Sequence, residues 1–280
     1  MYTLNCKGKL LVLDQPVVMG IINVTADSFY KGDAMLGLKG IVSLAGEMID
    51  AGAAILDIGG QSTRPGSKRI DAEQETQRVV PVIEAILAEY PDALLSVDTY
   101  HSRVAENAVL AGATIVNDIS GGTMDAAMIS TVAGLKVPYI CMHIKGTPEN
   151  MQQEAHYEDV VKEVLDYFIF KTESCRAAGI NDIIIDPGFG FAKTIGHNFQ
   201  LLRNLSVFKM LEKPILAGLS RKSTVYKTLG ISATEALNGT TVLNTLAIMN
   251  GASILRVHDV KEAKETIDML VAYHDYKKRQ

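Results

Sequence analysis

Eight times along the chain a short, continuous apolar run ends on a polar or charged residue beside Gly, Pro or Ser. VVMGIIN, AAILDIGG, ALLSVD and TIVND carry Asn23, Asp57, Asp98 and the pair Asn117 and Asp118. YICMH, DIIID, PILAG and ILRVHD lead to His143, Asp186, the turn Ser220, Arg221, Lys222, and Arg256 with His258. Strands buried on both faces in a parallel sheet read as unbroken apolar runs, so these runs predict parallel strands. Between them the apolar period lengthens to that of a helix. The pattern predicts helices over 38–52, 71–90, 101–111, 156–178, 233–250 and 260–276, the fifth being an extra helix before the last strand. Leu38, Ile41, Val42, Ala45 and Ile49 form one stripe, Asp71 caps the second helix, and Gly52, Gly112 and Gly179 read as stops.

Eight strand–helix units without a linker predict an α/β fold, a single (β/α)8 TIM barrel spanning residues 1–280 as one domain. A doubly wound open sheet is the alternative. Residues 2–14 predict a short N-terminal hairpin that turns at Lys7 and Gly8 and closes the bottom of the barrel. In both architectures ligands bind at the carboxyl ends of the strands, so the polar strand ends predict one shared pocket, and an enzyme built around it. The connections 24–37 and 59–70 are long and rich in Gly, Ser, Thr and Asp, which predicts binding loops that order on the ligand.

Composition narrows the class. The 280 residues, 48% of them hydrophobic, suit one large barrel, typically about 250 residues. A net charge of −5 argues against a general nucleic-acid binder, so an anion site would have to be local. Cys6, Cys141 and Cys175 are odd in number and contain no CxxC, which points to a reducing compartment and to neither disulfide nor zinc. The apolar tetrad at 10–13 is too short for a signal core, and no run approaches the roughly 20 apolar residues of a membrane helix. The expectation is a soluble, cytoplasmic protein without membrane or nucleic-acid partners.

Asp98, Asn117 and Asp186 all close apolar strands. Buried carboxylates need donors, and a 2-amino-4-oxo heterocycle such as a pterin or guanine supplies an amino group and ring N–H groups. Lys222 can bond a ring oxygen or nitrogen from the other side; a Schiff-base role, as in an aldolase, or a solvated charge are its alternatives. For the acids the alternative is helix capping or pairing with a barrel cation. DIGGQSTRPGS (57–67) offers Thr63, Arg64 and the backbone N–H groups near Gly59, Gly60 and Gly66 to an anion, or is an ordinary polar turn. Arg256 and His258, two apart on the last strand, share a face next to the first strand and read as a second anion site. Asn23 there offers an oxygen to a hard ion such as Mg2+. In GLSRKST (218–224) Ser220 reads as an N-cap, and Ser223 with the helix-start N–H groups can hold a carboxylate. Phe29, Pro65 and Phe191 offer apolar walls for a flat ring, or simply pack.

Over about residues 17–275 the chain resembles the dihydropteroate synthases. The resemblance rests on GIINVTADSF, DIGGQSTRPGS, SVDT, VNDISGG, MHIKGTPENMQ, IIIDPGFGF, GLSRKS and ILRVHDV, in that order. It implies a homodimeric barrel of folate biosynthesis joining 4-aminobenzoate to 6-hydroxymethyl-7,8-dihydropterin diphosphate with Mg2+. It also implies that Asp57, Asp98, Asn117, Asp186 and Lys222 hold the pterin. Asn23 would bind Mg2+ and diphosphate, with Thr63, Arg256 and His258 on the diphosphate. Phe29, Arg64, Pro65, Phe191 and Ser223 would form the aminobenzoate site, and Asp27 would face the reacting methylene. Catalysis would fall to Asp27, Lys222, Arg256 and His258. Ala26 and Gln61 depart from the family's usual Pro and Glu, which puts loop ordering and one charge in question while sparing every catalytic position. The rival readings are a pterin-binding methyltransferase, which needs no diphosphate site, and a non-catalytic pterin-binding module.

Overall fold

The computed structural model describes residues 1–24, 34–62, 67 and 69–275. Two antiparallel strands, β1 (Tyr2–Cys6) and β2 (Lys9–Leu13), turn at Lys7 and Gly8, both left-handed with φ of 54° and 91°. That pair of dihedrals is the hairpin turn whose twist matches the strands it joins. Then come β3 (Val17–Asn23), α1 (Ala34–Asp50), β4 (Ala53–Gly59), α2 (Ala72–Glu89), β5 (Leu95–Asp98) and α3 (Ser102–Leu110). They are followed by β6 (Ile115–Asp118), α4 (Met128–Leu135), β7 (Tyr139–Met142), α5 (Val160–Ala177), β8 (Ile183–Asp186) and α6 (Ile195–Arg203). A 3-10 turn at Leu205–Leu211, β9 (Leu216–Ala217), α7 (Ser223–Leu229), α8 (Leu237–Met249), β10 (Ile254–Val257) and α9 (Val260–Asp275) complete the order.

The eight strands β3 to β10 form one parallel sheet in the order β8-β7-β6-β5-β4-β3-β10-β9. A parallel bridge between Ile185 and Ile215, with Ile185 N–H donating to Pro214 O at 3.0 Å, brings β8 against the β9 segment. The ring is thus a nearly closed (β/α)8 barrel, and the open doubly wound alternative falls. Along each strand alternate side chains face opposite sides. Val18, Ile22, Leu56, Ile58, Val97, Val116, Ile183, Ile185, Leu255 and Val257 join the large core shared with the helices. Met19, Ile55, Ile115, Ile140, Ile184, Leu216 and Ile254 point inward, where Leu4, Cys6 and Leu13 of the hairpin pack among them. The hairpin therefore floors the barrel, as its sequence predicts.

Two residues further along the same faces the character changes: Ile55 gives way to Asp57, Ile115 to Asn117, Ile184 to Asp186 and Ile254 to Arg256. The apolar floor and the polar mouth are successive inward positions of the same strands.

The helix expectations hold with shifted ends. Asp71 caps α2, accepting from Gln74 N–H at 2.8 Å, and Gly52, Gly112 and Gly179 follow their helices with positive φ. Three expectations need correction. Residues 34–37, expected in a loop, open α1. The fourth helix starts at Val160 because Asp159 caps it, accepting from Val161 and Lys162 N–H at 3.0 Å each. Ser220 is not a helix cap: Lys222 occupies that position, and the Ser220 hydroxyl bonds His258 instead. The apolar pattern does not mark the helices α4 and α6 or the turn at Leu205–Leu211.

Leu4 is 2% exposed in the floor, whereas Leu10 of the same hairpin is 67% exposed. We expect Leu4→Ala to cost about 2–4 kcal/mol in chemical denaturation and Leu10→Ala at most about 0.5 kcal/mol. Equal losses at the two positions would show that the hairpin is not part of the core.

Candidate active site at the mouth of the barrel

Five strands deliver ionic or amide side chains into one small volume. Arg256 on β10 donates from Nε to Asp57 Oδ2 on β4 and from Nη2 to Asp98 Oδ2 on β5, each at 2.6 Å. Asn117 on β6 donates from Nδ2 to the same Asp57 Oδ2 at 2.9 Å, which sets the amide's orientation because a carboxylate only accepts. Asp186 at the end of β8 accepts the Gly188 N–H at 2.7 Å. Asp57, Asp98, Asn117 and Asp186 are all buried. Asp57 Oδ1 and Asp98 Oδ1 are buried with no hydrogen-bond partner among the described residues. Buried acceptors are nearly always paired, so these two atoms mark a place for donors that the described residues do not supply.

Burial sets the charge states. It pushes the Asp98 carboxyl up to about 7, against the pull of Arg256 and with the help of Asp57, Asp118 and Asp186. It also raises Asp186, opposed first by Lys222. Burial works against the Arg256 charge as well, but the carboxylates of Asp57 and Asp98 more than reverse this, so the guanidinium stays protonated. Lys222, beside Asp186, is drawn down to about 8 by burial, which Asp186 partly offsets.

Lys222 reaches the mouth from the turn after β9. Its Nζ donates to Phe189 O and lies 4.5 Å from the centre of the Phe191 ring. Neighbouring Arg221 does the opposite: with φ of 53° it turns outward and grips Asp259 with two bonds of 2.8 and 2.7 Å. It also donates to Thr234 O at 2.7 Å, so Arg221 braces the turn that presents Lys222. Ser223 is the first residue of α7. His258 lies just past the end of β10 and is exposed. The Ser220 hydroxyl accepts the His258 backbone N–H at 3.2 Å and lies 3.0 Å from Nδ1. Asn23, exposed at the end of β3, is in register with Gly59 of β4.

The structure therefore brings together Asp57, Asp98, Asn117, Asp186, Lys222, Arg256 and Phe191, with His258 on the rim. Asp27 and Phe29 lie outside the described residues, as do Thr63, Arg64 and Pro65 and the departure at Ala26. Of the second long loop, residues 59–62, 67, 69 and 70 are described. Ser67 Oγ donates to Ser62 O at 2.6 Å, and Gln61 accepts from Ile70 N–H at 3.1 Å while donating to the Tyr100 hydroxyl at 2.5 Å. Gln61 is buried as a loop brace, which explains how a neutral amide serves there.

Sequence reasoning missed buried Lys193, whose Nζ lies 2.9 Å from His143 Nδ1, and buried Glu75, pushed up to about 8 by burial against the opposing bond from Thr99. No sequence signal marks either as buried. For Asp118, read only as a strand end, the role is local. It accepts from Ser120 N and Oγ, Gly122 N–H and the Tyr139 hydroxyl, each at 2.7 Å, which shapes the turn after β6. A separate cavity of about 370 Å3 opens at the amino end of β4, among Ile49, Ala54, Tyr90 and Leu94, away from these groups.

A family model described as pterin binding enzyme matches residues 19–258. Dihydropteroate synthase from Escherichia coli K12 is 42% identical over 268 residues, covering 95% of this chain and 94% of that protein. The structure of Xanthomonas albilineans dihydropteroate synthase with 4-aminobenzoic acid superposes with a TM-score of 0.90 at 38% identity, covering 97% of this chain and 98% of the other. The Xanthomonas albilineans synthase in complex with 7,8-dihydropteroate gives 0.87 at 36% identity, with 98% of each chain covered. Matched nearly end to end, the chain belongs to the dihydropteroate synthase family of pterin-binding enzymes.

Proposed function

We propose that this chain condenses 6-hydroxymethyl-7,8-dihydropterin diphosphate with 4-aminobenzoate, giving 7,8-dihydropteroate and diphosphate. The observation that carries the reading is the pair of buried oxygens Asp57 Oδ1 and Asp98 Oδ1, without a partner among the described residues, beside Asn117 and Asp186. A pterin ring presents N–H donors along one edge, and ionised Asp98 and Asp186 accept them. Lys222 donates to the ring from the Asp186 side. The ring donors take Asp57 Oδ1 and Asp98 Oδ1, and Arg256, held on the Oδ2 atoms of the same two carboxylates, is the cation for the diphosphate of the same substrate. Recognition of the ring and capture of the leaving group are thereby coupled.

The reaction runs in an SN1-like course. The bond between the methylene carbon and the diphosphate oxygen breaks, and its electron pair leaves with the diphosphate, whose charge Arg256 and His258 absorb. The methylene cation is spread over the pterin ring. The amine nitrogen of 4-aminobenzoate attacks it and then sheds a proton. Nothing in this sequence needs a covalent enzyme nucleophile; the protein supplies position and charge.

Mg2+ belongs to the same reading. Among the described residues no cluster of acidic, His or Cys side chains is built to hold a metal. The exposed Asn23 at the strand end is one hard-oxygen ligand, which fits an ion otherwise held by water and phosphate oxygens. When bound there, Mg2+ neutralises diphosphate charge. The aminobenzoate contacts follow Phe191 and Ser223, and by resemblance Phe29, Arg64 and Pro65, with Thr63 on the diphosphate and Asp27 facing the methylene.

A homodimer in the cytoplasm completes the proposal. On α8, Val242, Leu246 and Met249 are 51%, 41% and 58% exposed and recur at helical spacing, beside exposed Leu229 of α7. A continuous apolar helix face of this kind suits a second copy of the chain. Among the described residues no helix is long and apolar enough to cross a membrane.

The deciding assay is release of diphosphate from the pterin diphosphate, with and without Mg2+ and 4-aminobenzoate. Release that tracks dihydropteroate formation is expected; ring binding without release under the same conditions would leave only a pterin-binding protein. We expect Asp186→Asn to lower kcat/KM for the pterin diphosphate about a hundredfold. The pH profile of that constant should be a bell. Its acid limb falls below about 7 as Asp98 takes up a proton and stops accepting, and its alkaline limb falls above about 8 as Lys222 loses its proton. An Asp98→Asn enzyme that keeps the acid limb would assign it elsewhere. In solution, Leu246→Arg should convert a dimer to a monomer by sedimentation, and an unchanged mass would exclude this face.

A further inference from the structure

Beyond the residues already assigned, the loop between β8 and α6 has an unusual backbone. Gly188, Gly190 and Ala192 all adopt left-handed conformations, with φ of 71°, 82° and 50°. A chain that alternates in this way makes no ladder of its own, and for Ala192 the conformation is strained. Besides its own bond from Phe191 N–H to Gly188 O at 3.1 Å, side chains from outside hold it. Asp186 takes the Gly188 N–H at 2.7 Å, Asn198 takes the Gly190 N–H at 2.8 Å, and Lys222 donates to Phe189 O. The last anchor is Lys193, which is also buried. Its Nζ meets His143 Nδ1 at 2.9 Å, Phe191 O at 3.0 Å and His143 O at 3.3 Å, and the residue is 3% exposed. A Cβ on Gly188 would come within 2.1 Å of His143 O, so the loop lies directly on the end of β7, where the ammonium pins it.

We propose that Lys193 is a positioning residue for 4-aminobenzoate: its ammonium staples the Phe191 carbonyl to the end of β7 and so fixes the Phe191 ring against Lys222. This inference rests on the synthase reading. The ring is gripped from both sides, by Lys193 on its backbone oxygen and by Lys222 4.5 Å from its centre. Lys193 touches neither reacting atom, and it acts through Phe191.

The donor count gives the staple a pH signature. An ammonium has three N–H donors and there are three acceptors, whereas the neutral amine has only two donors. Burial draws Lys193 down to about 7; Asp186 on β8 opposes this, and Lys222 after β9 and Lys145 after β7 reinforce it. His143, facing the ammonium, is held well below the ordinary imidazole range by burial and then by Lys193 and Lys145, so it remains a neutral acceptor. His197 on α6 is lowered too, by burial and then by Lys193. As pH rises through the Lys193 value the staple loses a bond, and KM for 4-aminobenzoate should rise with it.

The test is steady-state kinetics of the full chain, Lys193→Met and Lys193→Gln, from about pH 6 to about pH 9, with KM for each substrate and a thermal melt. Lys193→Met is expected to raise KM for 4-aminobenzoate about tenfold or more while leaving that for the pterin diphosphate within about threefold. It should also abolish the rise of the aminobenzoate KM with pH. Lys193→Gln, which keeps two donors, should fall between. A folded Lys193→Met that changes both KM values equally, changes neither, or keeps the pH trend overturns the proposal. Should Lys193→Met fail to fold, a wild-type aminobenzoate KM that is flat with pH does the same. Turnover of the wild-type chain, measured alongside, tests the synthase reading separately.

Discussion

The clamp of Arg256 between Asp57 and Asp98 is the interaction on which the mouth of this barrel depends. Two carboxylates buried to 0% and 8% exposure cannot stay ionised side by side without a cation, and their strands are adjacent neighbours in the ring. Arg256 reaches both with separate nitrogens of one planar group, a geometry that a lysine does not offer. Asp186 lies within electrostatic reach of Lys222 and Lys193 without pairing directly to either, so three buried acids stand against three bases. Removing one member of such a set strands its partner's charge, at a typical cost of about 3–5 kcal/mol. The set is therefore mutually dependent, and its members bind ligand and stabilise one another with the same atoms.

Burial, which the pairing only partly offsets, explains the perturbed proton affinities. Asp98 rises to about 7 while Lys222 and Lys193 fall to about 8 and about 7. Each group sits where its charge is only just favoured, so small changes in the surroundings alter it. A ligand that brings donors to the acids and a diphosphate to the bases replaces internal partners with its own, with no need to create or bury new charge.

Much of this was legible in the sequence because strand ends carry a local signal. Asp57, Asp98, Asn117, Asp186 and Arg256 each terminate or nearly terminate an apolar run, and the alternation of inward positions places them together once the ring closes. Their pairing was not legible. Arg256 lies 199 positions from Asp57 and 158 from Asp98, and periodicity carries no information about such partners, so Arg256 read as an anion ligand alone. Ser220 read as a cap because its residue type favours that role, but its hydroxyl bonds His258, 38 positions away. The unforeseen helix α4 has Ala127 at its N-cap with no side-chain bond, and α6 uses His197 where a capping box usually has Glu or Gln. Lys193 shows the limit most clearly. A lysine after a glycine-rich loop normally reads as solvated, and only the surrounding carbonyls make it a buried anchor.

The barrel separates stability from chemistry by two residues of strand. Ile55, Ile115, Ile184 and Ile254 pack on the hairpin floor, and two positions on, the same strands turn inward Asp57, Asn117, Asp186 and Arg256. A one-residue slip in one of these strands would put a floor isoleucine outside and a polar or charged group against a helix, so register is held by both layers at once. The dry floor also makes the mouth costly to change. Rigid strands cannot relax around an uncompensated charge, so the ligand must supply the compensation, and tightness of fit there follows from the packing beneath it.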